Sequence, residues 1–131
     1  MRLEVLVTTM HQEDFSKYKA MNLQSDAVIA NQTKFSGYFI QEIDGHKVKL
    51  ISTDLRGLSR NRNTAICLSE AELIMFADDD IVFYDGYEEK VIREFASHPE
   101  AEAIRFELHT TKRKEAAISE REQQTLSLIH I

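Results

Sequence analysis

Leu73-Ile74-Met75-Phe76-Ala77-Asp78-Asp79-Asp80 is the stretch that decides the fold. Five apolar residues run without a polar break into three adjacent carboxylates. The apolar run predicts a strand covered on both faces, as in parallel sheets. The carboxylates repel one another, and nothing in the making of a strand requires them. A divalent cation relieves that repulsion, and hard carboxylate oxygens suit Mg²⁺ or Mn²⁺. The plain alternative is a solvated acidic loop that caps the next helix.

Upstream, Leu3-Glu4-Val5-Leu6-Val7 is short and branched and ends in Thr8-Thr9, which predicts a strand. Phe15, Tyr18 and Met21 recur at helical spacing and predict a helix over 12–23. Ala27-Val28-Ile29-Ala30 predicts a second strand, followed directly by Asn31-Gln32. Asp44-Gly45 lies between the apolar runs Tyr38-Phe39-Ile40 and Val48-Lys49-Leu50-Ile51, a hairpin signal that leads into a third strand near 48–52. A helix is expected from Leu58 to about Ser69, with Leu58, Ala65 and Ile66 on one face. Downstream, Asp85 and Glu88 have capping-box spacing, and Tyr87, Val91 and Phe95 make a helical stripe closed by Pro99. Residues 101–108 alternate, with Ile104, Phe106 and Leu108 on one face of a strand. Strands alternating with helices imply an α/β domain with a mainly parallel sheet. Ligands of such sheets bind outside the carboxyl ends of the strands. Thr8-Thr9, Asn31-Gln32 and Asp78 to Asp80 all stand at strand ends and are expected to converge.

Composition narrows the classes. The chain has 131 residues, 43% hydrophobic and 29% charged, which fits one globular domain. A net charge of −6 argues against a general nucleic-acid binder. The single Cys67 excludes an intrachain disulfide and is expected to be a small core residue. No apolar stretch is long enough for a membrane span, and the charged start does not resemble a signal peptide, so a cytoplasmic location is the expectation. His11, His46, His98, His109 and His130 are scattered, and none has zinc spacing with Cys67. Four Gly and one Pro leave no room for a Gly-rich phosphate cradle. Phosphate binding needs another device, and Gly57-Leu58-Ser59-Arg60-Asn61-Arg62-Asn63 offers one. A helix start favours anions, and arginine adds bidentate phosphate contacts. Cations there oppose the helix dipole, so a bound anion makes sense of Arg60 and Arg62, as an alternative to a solvated basic face. A cation on the acidic triplet would in turn bind a diphosphate and stabilise it as a leaving group.

In this order the segments resemble the nucleotide-sugar-binding half of a family 2 glycosyltransferase, a Rossmann-like GT-A fold. The resemblance rests on the strand Leu3 to Thr9, on Leu58-Ser59-Arg60-Asn61-Arg62-Asn63 before the acidic strand, and on Phe76-Ala77-Asp78-Asp79-Asp80-Ile81, which contains a D-x-D pattern. It implies transfer of a sugar from a UDP- or GDP-sugar to an acceptor, with inversion. By the same resemblance Asp78, Asp79 and Asp80 would hold Mn²⁺ or Mg²⁺ and touch the ribose. Asp78 and Asp80 fit the pattern literally, whereas Asp79 and Asp80 fit the commoner form with a terminal doublet. Thr8 and Thr9 would line the base pocket, Asn31 and Gln32 would meet a base edge, and Arg60 and Arg62 would lie near base or diphosphate.

Two departures stand out. Asn31-Gln32 replaces the acidic residue that often reads the base, and Thr8-Thr9 replaces a Pro-Thr pair. The implied layout is a nucleotide-sugar-binding part over 1–108, a polar charged segment over 109–125 that begins a missing second half, and a non-native tail over 126–131. Leu126-Ser127-Leu128-Ile129-His130-Ile131 looks like a translated sequencing-library transposon adaptor, so a truncated reading frame is expected. No catalytic base is assigned. The rival readings are an inactive nucleotide- and metal-binding fragment and a phosphoryl-transfer α/β domain. The latter needs an Asp at the end of an early strand, where this chain has Thr8-Thr9.

Overall fold

A computed structural model describes residues 1–108 and the backbone of 126–129. The polar segment expected over 109–125, and the last two residues of the expected tail, lie outside the described residues. The chain divides into two units, Met1–Ile92 and Arg93–Ile131. In chain order the elements are β1 (Leu3–Met10), α1 (Ser16–Ala20), β2 (Asp26–Gln32), β3 (Gly37–Ile43), β4 (His46–Thr53), α2 (Leu58–Leu68), β5 (Leu73–Asp78), α3 (Tyr87–Ser97), β6 (Ala103–Phe106) and β7 (Leu126–Ile129).

The first unit is built on a five-stranded sheet of order β3-β4-β2-β1-β5. β1 pairs in parallel with β2 and β5, and β2 pairs in parallel with β4. Only β3 runs antiparallel, joined to β4 through Asp44 and Gly45. Both turn residues have positive φ, 51° and 82°, as a tight two-residue hairpin requires. The α/β, mainly parallel architecture expected from the alternation of segments is therefore present. The register keeps the strand ends level: Thr9 lies opposite Asn31, Asn31 opposite Ser52, and Thr8 opposite Asp78. In the second unit β6 and β7 form an antiparallel pair. Among the described residues no helix is long and apolar enough to cross a membrane.

Four expectations change. The helix over 12–23 shrinks to Ser16–Ala20, because residues 11–15 are held as a loop against the strand ends: His11 N donates to Gln32 O and Gln12 N to Asn31 Oδ1. α2 buries Asn61 and Ala65 and leaves Leu58 and Ile66 exposed. Ala65 packs with Leu6, Val28 and Ala30, joined by Ile51 and Leu68, so the buried stripe is 61-65-68. Cys67 falls on the other side of that stripe and is exposed. β5 stands last in the order of this sheet among the described residues, and its alternate residues Ile74 and Phe76 are exposed, so one face of the strand is not enclosed as a strand covered on both faces would be.

A second packed group forms around two tyrosines. Tyr18 OH donates to Ser25 O at 2.8 Å, Gln24 N donates to Tyr87 OH at 3.0 Å, and the Phe83 and Tyr87 rings pack at a 38° tilt with centroids 4.5 Å apart. Burial pushes both phenols up from their ordinary value.

The amino ends of the strands are closed by charge. Glu4 and Lys49 are both about 1% exposed in their side chains, with Lys49 Nζ 3.3 Å from Glu4 Oε2. Lys49 Nζ also donates to Leu68 O at 2.6 Å and stands 2.6 Å from Glu70 Oε1. Glu4 Oε1 accepts from Ser69 Oγ and Glu70 N, each at 2.8 Å. Burial lowers the Lys49 pKa, but Glu70 and Glu4 outweigh it and hold the amine above its usual value. Lys49, followed by Lys47, holds the Glu70 carboxyl down at about 2. The cluster ties the end of α2 and the turn after it to the sheet. Removing one partner leaves an uncompensated buried charge, which costs about 3–5 kcal/mol, whereas replacing both is close to neutral. Lys49→Met should therefore destabilise the chain by about 3–5 kcal/mol in urea unfolding. Adding Glu4→Gln should recover most of that loss, and a double variant as unstable as the single one would contradict the assignment.

Candidate functional site

At the carboxyl ends of the strands the structure builds a chain of hydrogen bonds that crosses the sheet in the order β4, β2, β1, β5. Asn31, at the end of β2, is completely enclosed. Its Nδ2 donates to Ser52 Oγ at 3.0 Å and to Gln12 O at 2.8 Å, and its Oδ1 accepts from Gln12 N at 3.0 Å. The amide thus clamps the Gln12 backbone at two points, as a neighbouring strand would. The loop reaches this clamp through His11, which takes φ 56°, a left-handed conformation uncommon for a side-chain-bearing residue. The Gln12 side chain turns back on β1: Nε2 donates to Met10 O at 3.0 Å and to Thr9 Oγ1 at 3.2 Å. Thr9 Oγ1 donates to Asp79 Oδ2 at 2.8 Å.

α2 is docked on the same end. Gly57, at φ 109°, precedes it, and Gly57 N donates to Gln32 Oε1 at 3.2 Å. Asn61 Nδ2 donates to Ala30 O at 2.8 Å and to Thr9 O at 3.3 Å, so one buried amide binds the helix to β1 and β2 together. The first turn of α2 has no acidic residue and no side-chain cap. The helix start therefore keeps its positive end beside Arg60 and Arg62. Arg62 Nη2 lies 3.7 Å from Asp78 Oδ1, with both side chains substantially exposed. Ile81 N donates to Asp78 O at 3.3 Å and closes the acidic residues into a turn.

The expected site residues thus receive distinct surroundings. Thr9 and Asp79 are joined directly, and Arg62 and Asp78 are paired. Thr8 is buried opposite Asp78 in the register, while Arg60 and Asp80 are exposed. Asn31 spends its amide on Gln12 and Ser52, and Gln32 supports the start of α2. Of the three carboxylates, Asp79 is tied to the fold through Thr9, while Asp78 is only loosely paired with Arg62. Among the described residues no three acidic, His or Cys side chains gather into a ready cation cage. The donor chemistry still fits Mg²⁺, which is usually held by one or two carboxylates and completed by phosphate and water oxygens. Gln12, Ser52 and Asn61 were missed from the sequence. Asn61 alone left a signal, an amide sharing a helical stripe with Ala65 and Leu68.

The family described as Glycosyl transferase family 2 matches this chain over residues 28–125 of 131. No curated protein matches it. The matched span contains Asn31, the whole of α2 and the acidic turn.

Asn61→Leu keeps the side-chain size and removes both donors. An enclosed carbonyl left without its donor costs about 1–3 kcal/mol. The variant should lose that much stability in urea unfolding. A loss below about 0.5 kcal/mol, the range of ordinary surface changes, would mean that the helix is docked by other contacts.

Proposed function

The chain belongs to glycosyl transferase family 2, and on that footing we propose that it binds a nucleotide diphosphate sugar at the carboxyl ends of its strands. It would supply the donor site for transfer of the sugar to an acceptor. The observation that carries this reading is the meeting of the acidic turn with the start of α2, where Arg62 stands beside Asp78. An exposed pair at 3.7 Å is worth only about 0–1 kcal/mol. It is readily exchanged for stronger partners, a cation for Asp78 and a phosphate for Arg62.

Asp78, Asp79 and Asp80 would hold Mg²⁺ or Mn²⁺, with Asp79 oriented by Thr9. When bound, the cation supplies charge neutralisation for a departing nucleoside diphosphate. Arg60, Arg62 and the uncapped start of α2 would meet the diphosphate, since helix amides and guanidinium groups both favour such anions. Thr8 and Thr9 would border the base. Of the amide pair after β2, Gln32 is the residue with surface to offer a base edge, because Asn31 is fully enclosed. In the transfer the bond from the anomeric carbon to the diphosphate oxygen breaks, and a bond to an acceptor oxygen forms. No residue of this chain is assigned as the base.

Calorimetry with UDP and with GDP, each with and without Mn²⁺, tests this reading. The chain should bind one nucleotide in a Mn²⁺-dependent manner. Replacing Asp78 and Asp80 with Asn should weaken binding at least about tenfold, the scale of one lost charge-assisted contact. The circular dichroism spectrum should not change. Equal affinity with and without Mn²⁺ would overturn the cation assignment, and no binding of either nucleotide would overturn the donor site. Binding without any transfer or sugar-nucleotide hydrolysis would restrict this chain to donor binding.

A further inference from the structure

We propose that Gln12 is a positioning residue for the acidic turn, acting through the hydroxyl of Thr9. The inference deepens the proposed donor site and rests on that reading for its ligand, but the geometry behind it is independent of any ligand. A side-chain amide can be turned either way, and here its neighbours decide. The Gln12 amide reaches Met10 O at 3.0 Å and Thr9 Oγ1 at 3.2 Å through the same atom. Met10 O is a carbonyl and can only accept, so the group facing it must be the NH₂. Both amide hydrogens are then committed, one to Met10 O and one to Thr9 Oγ1.

That assignment fixes the Thr9 hydroxyl. Its oxygen accepts from Gln12 and cannot donate back to a nitrogen that has no acceptor site. Its single proton is therefore directed to Asp79 Oδ2, 2.8 Å away. A hydroxyl donating to a carboxylate makes a charge-assisted bond, stronger than a neutral one. Asp79 is thus held in one orientation by a donor whose own direction is set three residues along the chain. The loop has little freedom to disengage, because Asn31 grips the Gln12 backbone at both N and O and is itself anchored on Ser52. With Asp79 drawn onto Thr9, the turn closed by Ile81 N on Asp78 O leaves Asp78 and Asp80 exposed on either side. The relay therefore sets which carboxylates of the turn face outward, without Gln12 itself meeting the ligand.

The test uses the full chain. Gln12→Met keeps the length of the side chain and removes the amide, Thr9→Val keeps its shape and removes the hydroxyl, and Thr9→Ser keeps the hydroxyl. Mg²⁺ affinity in the presence of the nucleotide that binds should fall about tenfold in Gln12→Met and in Thr9→Val, the usual cost of removing a partner that orients a ligating group. The double variant should be no worse than either single one, and Thr9→Ser should restore most of the Mg²⁺ affinity that Thr9→Val loses, because it keeps the hydroxyl that meets Asp79. Unfolding midpoints should separate this effect from a loss of fold. Unchanged Mg²⁺ affinity in Gln12→Met, or additive losses in the double variant, would overturn the proposal.

A second readout needs no ligand. In ¹⁵N-labelled chain the Gln12 side-chain amide resonances should shift in Asp79→Asn and in Thr9→Val, because both end the same relay. Resonances that stay in place would overturn the proposal. If the wild type bound no nucleotide while these resonances shifted, the relay would stand and the donor-site reading would fail.

Discussion

The hydrogen-bonded row that leads to the acidic turn depends on the two-point grip of Asn31 on the backbone of Gln12. Buried polar groups must be paired, and a loop leaving a central strand presents backbone groups that the sheet cannot pair. Asn31 supplies the missing partners from β2, so the chain leaving β1 is folded back across the strand ends. Gln12 then turns onto Thr9, and Thr9 reaches Asp79. Level parallel register makes this possible, because Thr9, Asn31 and Ser52 stand in one row. A shift of one residue in β2 would put the Asn31 side chain on the other face of the sheet.

The two ends of the sheet solve different problems with different chemistry. At the amino ends, the buried Glu4 and Lys49 bond to Leu68, Ser69 and the half-exposed Glu70, an arrangement that ties the end of α2 to the strands. At the carboxyl ends the polar groups form an open row whose last members, Asp78 and Arg62, remain exposed and weakly paired. Asn61 joins the two descriptions, since it seats the start of α2 on the backbone of β1 and β2 and so places Arg60 and Arg62 beside the acidic turn. A rigid base under a loosely paired, charged rim is what a site for a phosphorylated ligand and a cation requires.

The order of strands and helices was legible because β1, β2 and β4 are dense apolar runs and Asp44-Gly45 names its own turn. The strand-end positions of Thr9, Asn31 and Asp78 followed from that order. Other features depend on neighbours that a sequence does not display. β5 has the composition of a strand covered on both faces, yet Ile74 and Phe76, which share one of its faces, are exposed. The α2 stripe was misread because apolarity pointed to Leu58 and Ile66, while the demand of two strand carbonyls turned Asn61 inward. Cys67 was misplaced by the same rotation. Asn31 was expected to face a base, yet a wholly enclosed amide with three bonds serves the fold. Gln12 was invisible, since one glutamine in a polar loop carries no periodicity.

The central claim is that ligand binding belongs to the carboxyl ends of the strands and the start of α2. Its most direct measurement is a backbone amide chemical-shift map of the ¹⁵N-labelled chain, titrated with UDP or GDP in the presence of Mg²⁺. Shifts should cluster at residues 8–12, 31–33, 57–62 and 78–81. Shifts centred on Glu4, Lys49 and Glu70, or a map with no saturable change for either nucleotide, would contradict it.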